Sequence, residues 1–476
     1  MTNQPCAPQP LVGGIERVLR SLYISAVFLA FVVLGAAAPF IYSLGYIWVD
    51  TFRPQEVSYF FLNQIPVSLI MAALAIGSYI LIDRRSPAPV TIHTILTILL
   101  GIWVTITSIF FAVAPDTVWV KWDWAFKTIM FSAFIPLVFR SKIQIEAFLG
   151  IYIFSAAVHI VPVGLKTMIN GGGYGQELGV IGGNSLFSEG STLAAASLVL
   201  IPVTLYLRKH SQILPRWKIV KLGYLALIAV MLAAAIGTYA RTGLIGIVVL
   251  IAALWLRSDR KILGALAGAA VAMSVMAFTS TAWNERISTI SAYQTEDSAL
   301  GRILVWQWTL QFVATHPAGG GFNSYQINEV RFPPNAYNPE GEIARGKAFH
   351  SIYFEVLGEH GWPGIILFGG LVLTSLISLQ NVVRRARLTP ELASCRDLAF
   401  ALQVSLVVLL ACGLFIGVAF QPMLYYLFAL SACVSHHAQR VQLQNGGIST
   451  PSGAMLRRYS AHSGVAAGMS PGPSAS

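Results

Sequence analysis

The stretch IVKLGYLALIAVMLAAAIGTYARTGLIGIVVLIAALWL, residues 219–256, decides the fold class of this chain. It holds two apolar runs, 219–240 and 242–256, with only Arg241 between them. An α-helix needs about 20 apolar residues to cross a bilayer, so the stretch predicts two membrane spans joined by a very short turn. The whole chain is 55% hydrophobic and 11% charged, whereas soluble domains carry about 25% charged residues. We therefore expect an integral membrane protein with many spans.

Apolar runs of similar length recur before and after this pair. About twelve of them are candidate spans, which predicts an all-α, polytopic membrane fold, because a helix satisfies its own backbone hydrogen bonds in lipid. The predicted spans are 22–44, 59–82, 90–113, 124–139, 143–162, 186–207, 219–240, 242–256, 262–281, 362–380, 398–418 and 420–436. A long polar segment, 282–361, interrupts the series as one large loop.

Basic residues occupy every second connection between these runs, for example Arg84-Arg85 after the second and Arg384-Arg385 after the tenth. Basic loops stay in the cytoplasm, so both termini are predicted to be cytoplasmic. The alternate connections are predicted to face outward: the loops 45–58, 114–123, 163–185 and 282–361, and the turn at Arg241. The basic connections between membrane spans account for the net charge of +11, and the partner that this pattern indicates is the lipid bilayer. The net charge does not indicate nucleic-acid binding.

The chain divides into four predicted parts. Residues 1–16 form a disordered cytoplasmic N-terminus, 17–218 an N-terminal transmembrane region, 219–436 a second transmembrane domain that includes the loop 282–361, and 437–476 a disordered tail. The four cysteines, Cys6, Cys395, Cys412 and Cys433, have no metal-ligand spacing, and none lies in a predicted outer loop. We therefore expect no disulfide, no bound metal and no other cofactor.

Several ionisable side chains lie at the predicted outer ends of spans, where a charged group usually faces a cavity or a partner. They are Lys127, His159, Lys166, Glu189 and Arg241. Lys127 and Lys166 taken alone are also explained by side chains that extend to the membrane surface. Arg241 lies between two spans at the membrane surface, where its planar guanidinium suits a phosphate at headgroup level. A structural ion pair is the alternative for Arg241.

The predicted large loop holds a second set of candidates. Arg302 precedes the apolar helical stretch 303–313, and the glycine run 319–321 predicts either a flexible turn or a nest of backbone amides for an anion. Helical spacing puts His350 on one face with Tyr353, and Glu355 and Glu359 on nearly the opposite face. The proline pairs within 331–346 predict an irregular segment there.

These motifs occur in an order that resembles the O-antigen ligase and polymerase superfamily, over about residues 219 to 436. The elements are Arg241-Thr242-Gly243, Gly301-Arg302 with Trp306, His316-Pro317 with its glycine turn, and His350-x2-Tyr353-x3-Leu357-Gly358-Glu359-x-Gly361. The segment GGNSLFSEGSTLA, residues 182–194, is similar to one in O-glycosylation ligases associated with exosortase systems. Glu189-Gly190-Ser191 stands where that subgroup more often has Asp-Asn-Asn.

The resemblance implies an inverting, metal-independent glycosyltransferase of the bacterial inner membrane with a periplasmic active site. The implied donor is a glycan on undecaprenyl diphosphate, and the implied acceptor is a hydroxyl of a lipid A core, a polysaccharide or a protein. Family roles put Arg241 and Arg302 at the diphosphate and His350 as the base. No Asp-x-Asp occurs in the sequence, which fits a reaction without metal. Further expected substrate contacts are Glu189, His159, Lys127, Tyr353 and Glu359.

Other functions are compatible with parts of this pattern. A repeat-unit polymerase or a protein O-oligosaccharyltransferase of the same superfamily would use the same chemistry on another acceptor. A transporter of lipid-linked glycans would place its ionisable groups near the middle of the bilayer, whereas here they cluster at the predicted outer ends. A non-catalytic assembly protein would use the large loop only as an interface.

Overall fold

The computed structural model describes residues 11–445 apart from 59–60, 84, 86–89, 171–186, 188, 335–340 and most of 258–296. The described residues form a helical bundle with one small antiparallel sheet. The helices are α1 (Leu11–Ala37), α2 (Phe40–Phe52), α3 (Pro54–Val57), α4 (Val67–Leu81), α5 (Ile92–Phe110), α6 (Pro115–Val138), α7 (Lys142–Asn170), α8 (Gly190–His210), α9 (Lys218–Gly237), α10 (Arg241–Arg257), α11 (Asp297–Thr315), α12 (Ile352–Arg385), α13 (Ala393–Cys412) and α14 (Pro422–Asn445). The strands are β1 (Glu329–Phe332) and β2 (Glu342–Arg345).

The prediction of an all-α, polytopic membrane protein is confirmed. Seven of the described helices are long and apolar enough to cross a membrane, and α4 is a shorter apolar helix. The two runs that flank Arg241 become α9 and α10, as their composition predicts. The predicted span 262–281 lies largely outside the described residues, so the number of twelve spans stays a prediction.

Two segments predicted as loops are helical. The predicted loop 45–58 contains most of α2, whose side chains are largely buried, and the predicted loop 114–123 is the first part of α6. The predicted span 22–44 is not one helix, since the chain turns between α1 and α2 and brings the Phe31 ring to 5.4 Å from the Trp48 ring. Pro39 lies at this turn, and proline cannot donate the backbone hydrogen bond of a helix interior. Pro115 instead stands at the first position of α6, where a proline is favoured.

The described part of the large loop has an ordered core of its own. β1 pairs with β2, with Val330 opposite Ala344, so the prediction of an irregular segment at 331–346 is wrong for these strands. Val305 of α11 packs with Val330, Phe332 and Phe349 in a small apolar cluster. This cluster fixes α11 and the hairpin beside the residues that precede α12.

The glycine run of this loop packs across a kink in α12. Gly361 has φ 63 and ψ −161, and the Trp362 N–H donates to the Pro317 carbonyl at 3.0 Å. The N–H groups of Gly320 and Gly321 donate to the carbonyls of Gly358 and Glu359 at 3.0 and 2.8 Å. Because these amides are occupied by backbone carbonyls, the glycine run is a packed turn and not an anion-binding nest.

We expect Gly361→Ala to destabilise the protein by about 3 kcal/mol or more, since the left-handed backbone is strained for alanine and the new Cβ meets a backbone atom. That Cβ would lie 2.1 Å from the Pro317 carbonyl oxygen. Thermal unfolding of the full-length protein in detergent, followed by circular dichroism, measures the loss. Gly369→Ala is the matched control, because a Cβ there has no atom within 4 Å. Equal unfolding temperatures for the two variants would show that the kink does not need glycine.

The two ends of the bundle differ in charge. Basic side chains gather at one end, where Lys209 Nζ lies 2.7 Å from Asp397 Oδ2 and Arg257 Nη2 donates to Gln380 Oε1 at 2.8 Å. Lys142 at the start of α7 and Arg384 near the end of α12 lie at the same end. We call this the basic end. The glycine turn, the start of α12 and the start of α6 lie at the other end.

Candidate functional site

A polar cavity of about 330 Å³ lies at the end of the bundle opposite the basic end. Its walls come from the first turns of α6 and α12, the residue before α8, the glycine turn and the segment after α13. The side chains of interest in these walls are Lys121, Trp124, Glu189, Asn323, Tyr325, His350, Glu355 and Gln421. The volume is in the range of small-ligand sites, about 300–1,000 Å³. Charged and aromatic groups from distant parts of the chain therefore meet in one concave site.

His350 precedes α12 and is held from both sides. Its backbone has φ 48, and α12 begins only at Ile352, whose N–H donates to the Gly413 carbonyl at 2.8 Å. The Trp306 Nε1–H donates to the carbonyl of the preceding residue, Phe349, at 2.9 Å. The predicted helical face shared by His350 and Tyr353 is therefore wrong, because His350 is not part of the helix. Being outside the helix lets its side chain open into the cavity together with that of Glu355.

The surroundings of His350 favour its neutral form. His350 is exposed where it opens into the cavity, and the partial loss of water around its imidazole lowers its pKa below the ordinary 6.5. The positive charge of Arg302 lowers the pKa further, and the negative charge of Glu189 opposes the shift. An imidazole that is neutral near pH 7 can accept a proton, which is the property of a general base.

Both predicted arginines belong to this end of the bundle. Arg302, in the first turns of α11, acts on the charge of His350. Arg241 begins α10, and the carbonyl of the next residue, Thr242, lies 3.7 Å from the Cys412 sulfur. Cys412 directly precedes the segment whose Gly413 carbonyl holds Ile352. Two contacts, Thr242 with Cys412 and Gly413 with Ile352, thus connect the start of α10 to the start of α12.

A buried ion cluster in the cavity wall was not predicted from the sequence. Lys121 Nζ lies 2.6 Å from Glu355 Oε1 and 2.8 Å from Glu359 Oε1. Lys121 falls in the predicted loop 114–123, and the two glutamates were predicted to point away from His350. One signal was present: two carboxylates at i and i+4 in an otherwise apolar helix require a cation nearby, since buried charges are paired.

The other predicted substrate contacts differ in where they lie relative to the cavity. Glu189 lines the cavity and is exposed. Glu359 is fully buried, and the Tyr353 hydroxyl donates to the Leu410 carbonyl at 3.0 Å. His159 is buried, with Nε2 3.2 Å from the Phe52 carbonyl oxygen, and Lys127 pairs with Asp123 at 2.7 Å on an exposed face. The structure brings His350, Arg302 and Glu189 together; a substrate contact by the others stays a prediction.

Within the described residues, no three or more His, Cys, Asp or Glu side chains are grouped so that they could hold a metal ion. The polar side chains that line the cavity carry one ammonium, two carboxylates, an imidazole, a phenol hydroxyl, an indole and two amides. Such a set can bind hydroxyl-rich ligands, move a proton and compensate a developing negative charge.

Two family models match the chain, and residues from both matched segments line this cavity. Residues 226–369 match a model described as O-Antigen ligase. Residues 19–212 match a model described as a family of unknown function (DUF5935). No curated protein matches the chain. The first match contains Arg241, Arg302 and His350, and the second contains Lys121 and Glu189.

Proposed function

We propose that this chain, whose residues 226–369 match the O-antigen ligase model, is an inverting, metal-independent glycosyltransferase of the O-antigen ligase superfamily. In this proposal it moves a glycan from undecaprenyl diphosphate to an acceptor hydroxyl. The match supports a membrane enzyme of the glycan ligase or polymerase type. The observation that carries the finer proposal is that His350 lines a polar cavity and that the positive charge of Arg302 acts on its imidazole.

In the proposed reaction, His350 takes the proton that is released, and Arg302 and Arg241 stabilise the charge that develops. The acceptor hydroxyl oxygen attacks the anomeric carbon of the donor sugar on the face opposite the diphosphate, and its proton passes to His350. The bond from the anomeric carbon to the diphosphate oxygen breaks, and the configuration at that carbon inverts. Arg302 and Arg241 stabilise the negative charge that develops on the leaving diphosphate, a role suited to planar guanidinium groups.

The charge of the bundle supports a periplasmic active site in this proposal. Basic residues of membrane proteins remain on the cytoplasmic side, and the cavity lies at the end opposite the basic end. Lipid-linked glycans at the outer surface of the inner membrane would then reach the cavity from the bilayer. We further propose, from the similarity of residues 182–194, that the protein belongs to the exosortase-associated subgroup; residues 182–186 lie outside the described part of the chain.

The function is tested in a strain that lacks this protein. Lipid-linked glycans, lipopolysaccharide, free polysaccharide and glycoproteins are extracted and compared with those of the parent strain. We expect lipid-linked long chains to accumulate beside a bare lipid A core, which identifies a ligase. Single repeats without long polymer would identify a polymerase, and loss of sugar from protein alone a protein O-oligosaccharyltransferase. No change in any of these pools, with the gene expressed in the parent, would contradict the proposal.

The pH dependence of transfer reports on His350. Because partial loss of water around the imidazole and the charge of Arg302 lower the pKa of His350, kcat/KM is expected to rise with pH through a midpoint below 6.5 and to be constant at higher pH. The Glu189 carboxylate raises this pKa, so Glu189→Gln is expected to move the midpoint to still lower pH. Initial rates of transfer in proteoliposomes between pH 5 and 8 measure both midpoints. A Glu189→Gln midpoint above that of the wild type would contradict the electrostatic role of Glu189.

A further inference from the structure

The cavity is built jointly by the two matched segments. Lys121, Trp124 and Glu189 come from the segment 19–212, which matches the family of unknown function, while His350 and Glu355 come from the segment 226–369. Gly417 and Gln421, which follow both matches, complete the wall. The amino-terminal segment therefore contributes one side of this site.

Lys121 uses its hydrogen-bond donors on two carboxylates. Its Nζ lies 2.6 Å from Glu355 Oε1, and 2.8 and 2.9 Å from the two carboxylate oxygens of Glu359. An ammonium group has three N–H donors, so these contacts account for them. The side chains of Lys121, Glu355 and Glu359 are 12%, 8% and 0% exposed. Lys121 is therefore placed to orient the glutamates, with no donor left for a substrate.

Through Glu355 and Glu359, the ion cluster also forms hydrogen bonds with two further segments of the chain. Glu359 Oε1 accepts the Asn323 N–H at 2.9 Å, and Glu355 Oε2 accepts the Ala419 N–H at 3.0 Å. Asn323 follows the glycine turn and lines the cavity. Lys121 thus connects α6, α12, the glycine turn and the segment after α13. Its ammonium is also 5.6 Å and 5.5 Å from the ring centroids of Phe322 and Phe420, which surround the cluster.

Glu355 also acts on His350. Both side chains line the cavity, and the negative charge of Glu355 acts on the imidazole. In the proposed reaction His350 becomes positively charged when it takes the proton of the acceptor, and a fixed carboxylate nearby stabilises that charge. The position of Glu355 is set by Lys121 on one oxygen and by the Ala419 amide on the other.

We propose that the amino-terminal segment of unknown function takes part in the transfer reaction, and that its Lys121 is a positioning residue that holds Glu355 beside His350. This inference rests on the proposed function and deepens it. Lys121 does not touch the substrate; it acts through Glu355 on the proton transfer and through Glu359 on the cavity wall formed by Asn323. The expected signature is therefore a lower kcat with little change in the KM for the lipid-linked donor.

The test uses full-length variants in proteoliposomes with lipid-linked donor and acceptor. Lys121→Met combined with Glu359→Gln removes one positive and one negative charge together, so it avoids two unpaired carboxylates. We expect kcat to fall by roughly 10- to 100-fold, as when a supporting group is lost, with KM within about threefold of the wild type. Lys142→Met is the matched control: its Nζ lies 3.9 Å from the buried Glu146, at the basic end. This control is expected to keep its kcat even where its unfolding temperature falls.

Glu355→Gln keeps the inference testable if the double variant does not fold. The amide oxygen can still accept the Ala419 N–H, and Lys121 remains paired with Glu359, so one charge of each sign stays. The same fall in kcat at nearly constant KM is expected. Wild-type kcat in folded Glu355→Gln, or in the folded double variant, would overturn the inference. If the wild-type protein itself transfers no glycan, the proposed function fails instead, and the two results are thereby distinguished.

Discussion

His350→Ala is expected to lower the rate of glycan transfer by about 10²- to 10⁴-fold, the contribution of a well-placed general base. The imidazole opens into the cavity, and its surroundings favour the neutral form that can accept a proton. Donor binding is expected to persist, because the proposed diphosphate contacts are Arg241 and Arg302. Single-turnover transfer and equilibrium binding of the lipid-linked donor measure the two effects separately.

The matched control for His350→Ala is His210→Ala. His210 lies at the basic end, where its Nε2 is 2.7 Å from Asp397 Oδ2, and its loss is expected to leave transfer unchanged. Residual transfer by His350→Ala should also lose the rise with pH that the wild type shows below pH 6.5. An His350→Ala enzyme with wild-type rate and the same pH profile would remove His350 from the role of base.

Arg302→Ala is expected to lower kcat by about 10²- to 10³-fold, as when one group that stabilises a developing negative charge is removed. Arg241→Ala is expected to act in the same direction. Arg302→Lys keeps the charge but loses the planar pair of donors, so only part of the rate should return. Initial rates with the lipid-linked donor separate an effect on kcat from one on KM.

Arg384→Ala is the matched control for the arginine variants, since Arg384 is exposed near the end of α12, at the basic end. Its transfer rate is expected to equal that of the wild type. Arg302→Ala also removes a positive charge from beside His350, so its residual activity should have a pH midpoint above that of the wild type. A rate within about threefold of the wild type for Arg302→Ala would contradict the proposed stabilisation of the diphosphate.

Sequence patterns predicted the membrane helices well, because a span is a local property of about 20 residues. The run 90–113 became α5 (Ile92–Phe110), and 219–240 became α9 (Lys218–Gly237). The predicted helix boundaries were wrong where charged or aromatic residues lie inside a helix. Lys121 made 114–123 resemble a loop, yet a charge is tolerated in a helix when a buried partner compensates it.

The candidate site was predicted only in part. His350, Arg302 and Glu189 were named from the sequence, and the structure brings them to one end of the bundle. The helical face assigned to His350 was wrong, because the left-handed backbone at φ 48 separates it from α12. Glycine is the usual residue for that conformation, so a histidine there gives no sequence signal. The roles of His159, Lys127, Tyr353 and Glu359 as substrate contacts remain predictions.

By itself the sequence determined the class of this protein: apolar runs of span length and basic connections require a polytopic helical bundle with two unlike ends. Only the tertiary structure decided how the cavity is made. The contacts of Lys121 with Glu355 and Glu359 join residues 234 and 238 positions apart. No local periodicity reports on such a contact, since it depends on how α6 packs near α12 and on the glycine turn that crosses the kink at Gly361. The helices follow from composition, and the charges that meet between them follow from packing.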